Sequence, residues 1–405
     1  MVPAKGSPAL MRAMNAAQVV RCLRAKGPQS RADLARATGL STPTVTNVVS
    51  HLEDLGYIKR VAGAQPEGRR PAPRYAYHVG RGSVLGVDIG ADKTLLLLAD
   101  LDGAVLESDR FSTPDGPAKV LKELKTVSDR LLARADAPPG SLLSVVVGTP
   151  GVVSREGVVT VAPQLSGWEG LNLGVALEEI YDCPVALEGE VTLSLQAERA
   201  LGVAKGINDA LFVHLGIGIG AALLLGGTIH RGADGGAGEI GEMPYPYIGY
   251  DRDRRFAPLE TVVSGAAFRQ RGRELAAQPN GSHLLRLAGG DPDSVDASII
   301  FAAARQKDPA ARELIWTAME ALAWGLSCLI CALNPRTVVI GGGMSPSADL
   351  FLPQLRDQVA DAVPFAPDWS VSELGDEAVA LGAINRATTL VEDNLFAPLY
   401  RRASS

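Results

Sequence analysis

The sequence predicts an α/β protein in two parts, a small basic winged-helix head followed by a two-lobed α/β body. Three observations carry this. Residues 1–80 hold 12 Lys and Arg against 4 Asp and Glu, whereas the rest of the chain holds 27 against 41. Apolar residues recur at helical spacing through the first 55 positions and then give way to a strand, a basic loop and a second strand. From Ser83 onward, short β-rich runs end in glycine turns, and the same order returns after Ala210.

At 405 residues, 46% of them hydrophobic, the chain can fill more than one core. The expected division is a head at 1–80, a first lobe at 81–190 completed by a C-terminal helix at 383–405, and a second lobe at 191–382 that forms a cleft wall and the dimer contact. No apolar run of about 18 residues is free of a charge or a glycine break, and no signal-peptide order opens the chain. A cytoplasmic protein without a membrane partner is expected. Cys22, Cys183, Cys328 and Cys331 are too scattered for a disulfide framework. Cys328 and Cys331 lie in an apolar helical stretch, 321–333, and are read as core residues rather than metal ligands.

In the head, Ala17, Val19, Val20 and Leu23 mark a first helix that stops at Lys26-Gly27-Pro28. Ser30 and Asp33 have capping-box spacing at the start of a second helix, which ends at Gly39. Ser41 caps a third helix with Pro43 in its first turn, where the missing N–H costs nothing. Its buried stripe is Val45, Val48, Val49, Leu52 and Leu55; its polar face carries Thr42, Thr44, Thr46, Asn47 and Ser50. Short hydroxyl and amide side chains at the start of a helix can reach phosphates and base edges in a major groove. Strands at 58–61 and 74–77 then flank a loop in which Arg69 and Arg70 are placed to meet a minor groove. A basic module on an acidic body fits a double-stranded DNA partner.

In the body, 84–90 and 94–99 read as a hairpin, and Asp102-Gly103 is a tight turn before a third strand. A helix over 118–134 and a strand over 142–148 follow. Strands at 210–215 and 221–225 flank a second glycine loop, and 338–340 leads into Gly341-Gly342-Gly343. Glycine loops after strands let backbone N–H groups approach phosphate oxygens, so Asp88, Gly90, Asp92, Gly216, Ile217 and Gly218 are the candidate phosphate-loop positions. In order and spacing these loops match the actin/hexokinase-like phosphotransferases.

More specific runs follow. Gly148-Thr149-Pro150-Gly151-Val152-Val153, Ala162 to Trp168, Gly238-Glu239-Ile240-Gly241, Leu259-Glu260 and Asn334-Pro335 together resemble the ROK family of sugar kinases and regulators. The basic wing resembles that family's DNA-binding branch, and the resemblance runs from about residue 14 to 390. It implies sugar contacts at Gln164, Gly189, Glu190, Glu239, Glu242 and Glu260.

The departures from that pattern bear on catalysis. Gly189 stands where the resemblance places a sugar-binding asparagine, and Glu190 where it places the catalytic aspartate, one methylene longer. Asp92 brings a carboxylate beside ATP phosphates, and Ile217 replaces a threonine donor. Glu242 replaces a zinc-ligating histidine, and 244–258 has no cysteine or histidine, so no metal is expected. The expectation is a repressor without catalytic residues or cofactor, acting as a homodimer or homotetramer on an operator and answering to a sugar-like effector. Two alternatives stay open: an active ATP-dependent sugar kinase bearing a DNA-binding head, and a ligand-independent regulator whose body only dimerises.

Overall fold

The computed structural model describes residues 8–61, 73–154, 156–162, 165–246 and 256–394. The head begins with α1 (Pro8–Lys26), which buries Ala16, Ala17, Val19, Val20 and Leu23. A two-residue strand, β1 (Gln29–Ser30), runs directly into α2 (Arg31–Thr38). Ser30 Oγ accepts from the Asp33 N–H, and the Asp33 carboxylate accepts from the Ser30 N–H at 3.2 Å, which is the reciprocal cap its spacing predicts. Gly39 ends the helix in the left-handed region at φ 72°, where a side chain would be strained. Ser41 caps α3 (Thr42–Asp54), and β2 (Ile58–Val61) and β3 (Arg74–Tyr77) pair antiparallel with Ile58 opposite Tyr77. The sheet order is β1-β3-β2, so the wing also takes in the short strand ahead of α2. Leu55 departs from the expected stripe. It lies one residue beyond α3 and is 37% exposed, while Ile58 on β2 fills the core instead.

The described residues fall into two compact units, one comprising the head, the chain up to Pro150, 165–187 and 383–394, the other 151–162 and 188–382. After the head, the first unit continues with β4 (Ser83–Ile89), β5 (Lys93–Asp100) and β6 (Val105–Ser112), then α4 (Pro117–Arg134) and β7 (Leu142–Thr149). A short hairpin of the second unit, β8 (Val152–Val153) and β9 (Val159–Val161), precedes α5 (Leu173–Glu178) and β10 (Val185–Gly189). The sheet order is β10-β7-β4-β5-β6, with β4 parallel to β7 and antiparallel to β5. β4 and β7 are buried on both faces, which explains their unbroken apolar runs.

The second unit contains α6 (Glu190–Ala200), β11 (Ala210–Leu215), β12 (Ile219–Leu225), β13 (Thr228–His230), β14 (Pro244–Pro246) and β15 (Phe256–Pro258). It continues through α7 (Glu260–Val263), α8 (Gly265–Ala276), α9 (Ser282–Leu287), α10 (Ala297–Arg305) and α11 (Pro309–Leu333). β16 (Thr337–Gly341), α12 (Leu352–Ala362) and β17 (Asp368–Val371) lead to α13 (Ala378–Asn394), which crosses into the first unit. Its sheet runs β13-β12-β11-β16-β17, repeating the hairpin-plus-parallel plan of the first. The central strands pack on α11, whose Ala311, Leu314, Ile315, Ala318, Met319, Leu322 and Leu326 are buried. Cys328 and Cys331 are exposed, contrary to the expected core placement. α11 is apolar nearly all round, so composition does not distinguish the packed stripe from the outer face.

Candidate DNA-binding and effector sites

The cap at Ser41 sets the start of α3 and thereby its polar face. Thr42 and Asn47 are exposed; Thr44, Thr46 and Ser50 are half-buried. Thr44 is partly engaged in the cap, its hydroxyl 2.8 Å from Ser41 Oγ, and the Ser50 hydroxyl accepts from Arg31 at 3.4 Å. Arg69 and Arg70 lie outside the described residues. On the described part of the wing, Lys59 and Arg60 are exposed, and Arg60 is held by Glu53 at 2.7 Å.

The second unit gathers the carboxylates that the sequence scatters. Glu190 opens α6 with Gly189 as its cap, Glu239 precedes a single helical turn that Glu242 ends, and Glu260 opens α7. Glu260 Oε2 accepts from the Ile219 N–H at 3.0 Å, which ties α7 to the second glycine loop. Partial burial, and then the charges of Glu242, Glu260 and Glu190, push the Glu239 carboxyl above the ordinary glutamate range. Its side chain still reaches solvent, so the push is not that of a sealed interior. Gln164 lies outside the described residues. Arg231, which no local pattern marks, grips Glu188 with Nε at 3.0 Å and Nη2 at 2.7 Å across 43 positions, fixing the strand end beside Gly189.

A raised folded-state pKa means that Glu239 contributes stability below the unfolded glutamate pKa and loses it as pH rises through the raised value. Glu239→Gln is therefore expected to raise Tm relative to the parent, and by more at pH 8 than at pH 5. Thermal denaturation across that range checks it; a pH-independent difference would contradict the clustered charge.

The glycine loops are ordered by their own backbone. The Gly90 N–H donates to Lys93 O at 3.0 Å, and the Thr113 hydroxyl donates to Gly90 O at 2.8 Å. Asp88 is half-buried on β4, and Asp92 is exposed at the tip of the turn. In the second loop the Gly216 N–H donates to Gly218 O at 3.0 Å, and Ile217 presents an apolar side chain, 47% exposed, that can donate no hydrogen bond. Neither glycine N–H is free within its loop. Nor do the residues after Ile240 fit a structural zinc, because Glu242 is an exposed oxygen donor and no thiol or imidazole follows before Leu259.

Residues 84–389 match the model of the ROK family, and residues 14–65 match the model of the MarR family. The chain belongs to the ROK family. It is similar to the xylose repressor of Caldicellulosiruptor bescii, 26% identical over 407 residues that cover 98% of this chain and 100% of the relative. It is also similar to glucokinase of Thermotoga maritima, 29% identical over 308 residues, covering 74% of this chain and 95% of the relative. Among solved structures, a ROK family transcriptional regulator described as a homologue of the Escherichia coli MLC protein shares the fold at a TM-score of 0.79 and 22% identity, covering 96% and 98% of the two chains. This ROK protein is a DNA-binding transcriptional regulator, with a winged-helix head on a body of the hexokinase-like kinase fold.

Proposed function

We propose that this ROK protein is a cytoplasmic repressor whose body binds a sugar or sugar derivative without phosphorylating it. One observation carries the reading: similarity to a repressor extends over head and body alike, while the body's phosphoryl-transfer positions hold Gly189, Glu190, Asp92 and Ile217. Thr42, Thr44, Thr46, Asn47 and Ser50 of α3 contact the operator, with Arg69 and Arg70 of the wing in the adjoining minor groove. Gln164, Gly189, Glu190, Glu239, Glu242 and Glu260 form the effector site, where carboxylates accept from sugar hydroxyls. A homodimer presents two heads to paired half-sites, and the effector acts by favouring a body state that separates the heads from that spacing.

Purified protein is expected to release no ADP from ATP over a panel of aldoses and amino sugars, yet to show a raised Tm with one of them and a weakened hold on its own promoter DNA. Turnover that disappears in Glu190→Gln would restore the kinase reading. Operator binding indifferent to every sugar that shifts Tm would instead leave the body as a dimerisation module.

A further inference from the structure

A half-buried guanidinium in the head has no anion beside it among the described residues. Arg31 opens α2, and its side chain spans three elements. Nη2 donates to Ser50 Oγ on α3 at 3.4 Å, and the guanidinium carbon lies 5.3 Å from the centre of the Tyr75 ring on β3. Nε is sealed from solvent and donates to nothing. Neighbouring carboxylates are engaged elsewhere: Asp33 by Ser30 and Arg36, Glu53 by Arg60. Arg24 shows the contrast, because its partly buried guanidinium reaches Glu392 at 2.6 Å.

A cation drawn out of water is normally compensated by a carboxylate, and a long bond to a hydroxyl with one ring face replaces only part of its hydration. Ser50 stands one helical turn from Thr46 on α3, so a charge without a carboxylate partner among the described residues is held at the polar face of the recognition helix. The backbone of a DNA duplex carries such anions. We propose that Arg31 is both a phosphate ligand and a positioning residue: it binds a backbone phosphate of double-stranded DNA, and its grip on Ser50 and Tyr75 holds α3 against the wing. The proposal rests on the DNA-binding reading of the head and adds to it a residue outside α3 and the wing loop.

Fluorescence anisotropy of the full chain on a mixed-sequence 30-base-pair duplex, across a salt series, tests it. Each phosphate contact contributes about 0.9 to the slope of log affinity against log salt. Arg31→Ala is expected to weaken binding about tenfold at low salt and to flatten the slope by about one. Arg31→Lys retains the charge and the slope but loses part of the affinity, because an ammonium cannot span the hydroxyl and the ring together. Ser50→Ala lowers affinity modestly with an unchanged slope. An Arg31→Ala chain with the parental slope overturns the proposal whatever its Tm, and a lowered Tm beside that slope leaves Arg31 an internal brace. A parent chain that binds no duplex even at low salt fails at the earlier step, the DNA-binding reading itself.

Discussion

Arg24→Ala is expected to cost about 2–3 kcal/mol of stability, because it strands a carboxylate that is nearly sealed from water. Glu392 on α13 is 4% exposed and receives Arg24 Nη1 at 2.6 Å. Arg24 also reaches Asp102 in the turn between β5 and β6 at 3.3 Å and lies over the Tyr77 ring at 5.9 Å. Arg21, 3.6 Å from the same carboxylate but 64% exposed, compensates in part, which sets the expectation at the low end for a broken buried pair. The ion pair fastens α1 of the DNA-binding head to the helix that passes from the second unit into the first. Removing both charges in Arg24→Leu with Glu392→Leu should recover most of the loss, since neither partner is then left alone. Denaturant unfolding of Arg24→Leu, Glu392→Leu and the double variant measures the coupling. Losses that simply add would show that the pair is not the joint its geometry describes.

The head was legible in the sequence because its decisive signals are local. Ser30 with Asp33, Gly39, and Ser41 with Pro43 each fix a helix end within four residues, and each sits in the structure where its chemistry places it. Pairing that spans distance was less accessible. β1 exists only because Gln29 meets Tyr75, and a capping-box reading of Ser30-Arg31-Ala32-Asp33 gives Arg31 no role. The same limit applies in the body. Family motifs pointed to Glu190, Glu239, Glu242 and Glu260 one by one, but their mutual repulsion and the Arg231 grip on Glu188 arise from elements tens of residues apart. On α11, period and composition give a buried helix; only packing shows that Cys328 and Cys331 face outward.

The position of that carboxylate cluster depends on Gly238, and Gly238→Ala is expected to cost about 3 kcal/mol or more. Two independent features argue for this. Gly238 holds φ at 102°, a backbone region that L side chains rarely adopt, and an added Cβ would stand 1.9 Å from Ala221 O on β12. The strand cannot simply give way, because the Ala221 N–H donates to Gly238 O at 2.8 Å and Ala221 is paired with Val213 on β11. Displacing the turn moves Glu239 and Glu242 together, so loss of effector response should accompany the loss of stability. Gly236→Ala supplies the control two residues away: its φ is not in the left-handed region, and its nearest neighbour would be Glu239 Cγ at 3.9 Å, an ordinary contact. Thermal unfolding should therefore separate the two variants by several degrees, with Gly236→Ala near the parent. A Gly238→Ala chain that melts with the parent would mean that the turn is not anchored to β12, and the cluster would then need another support.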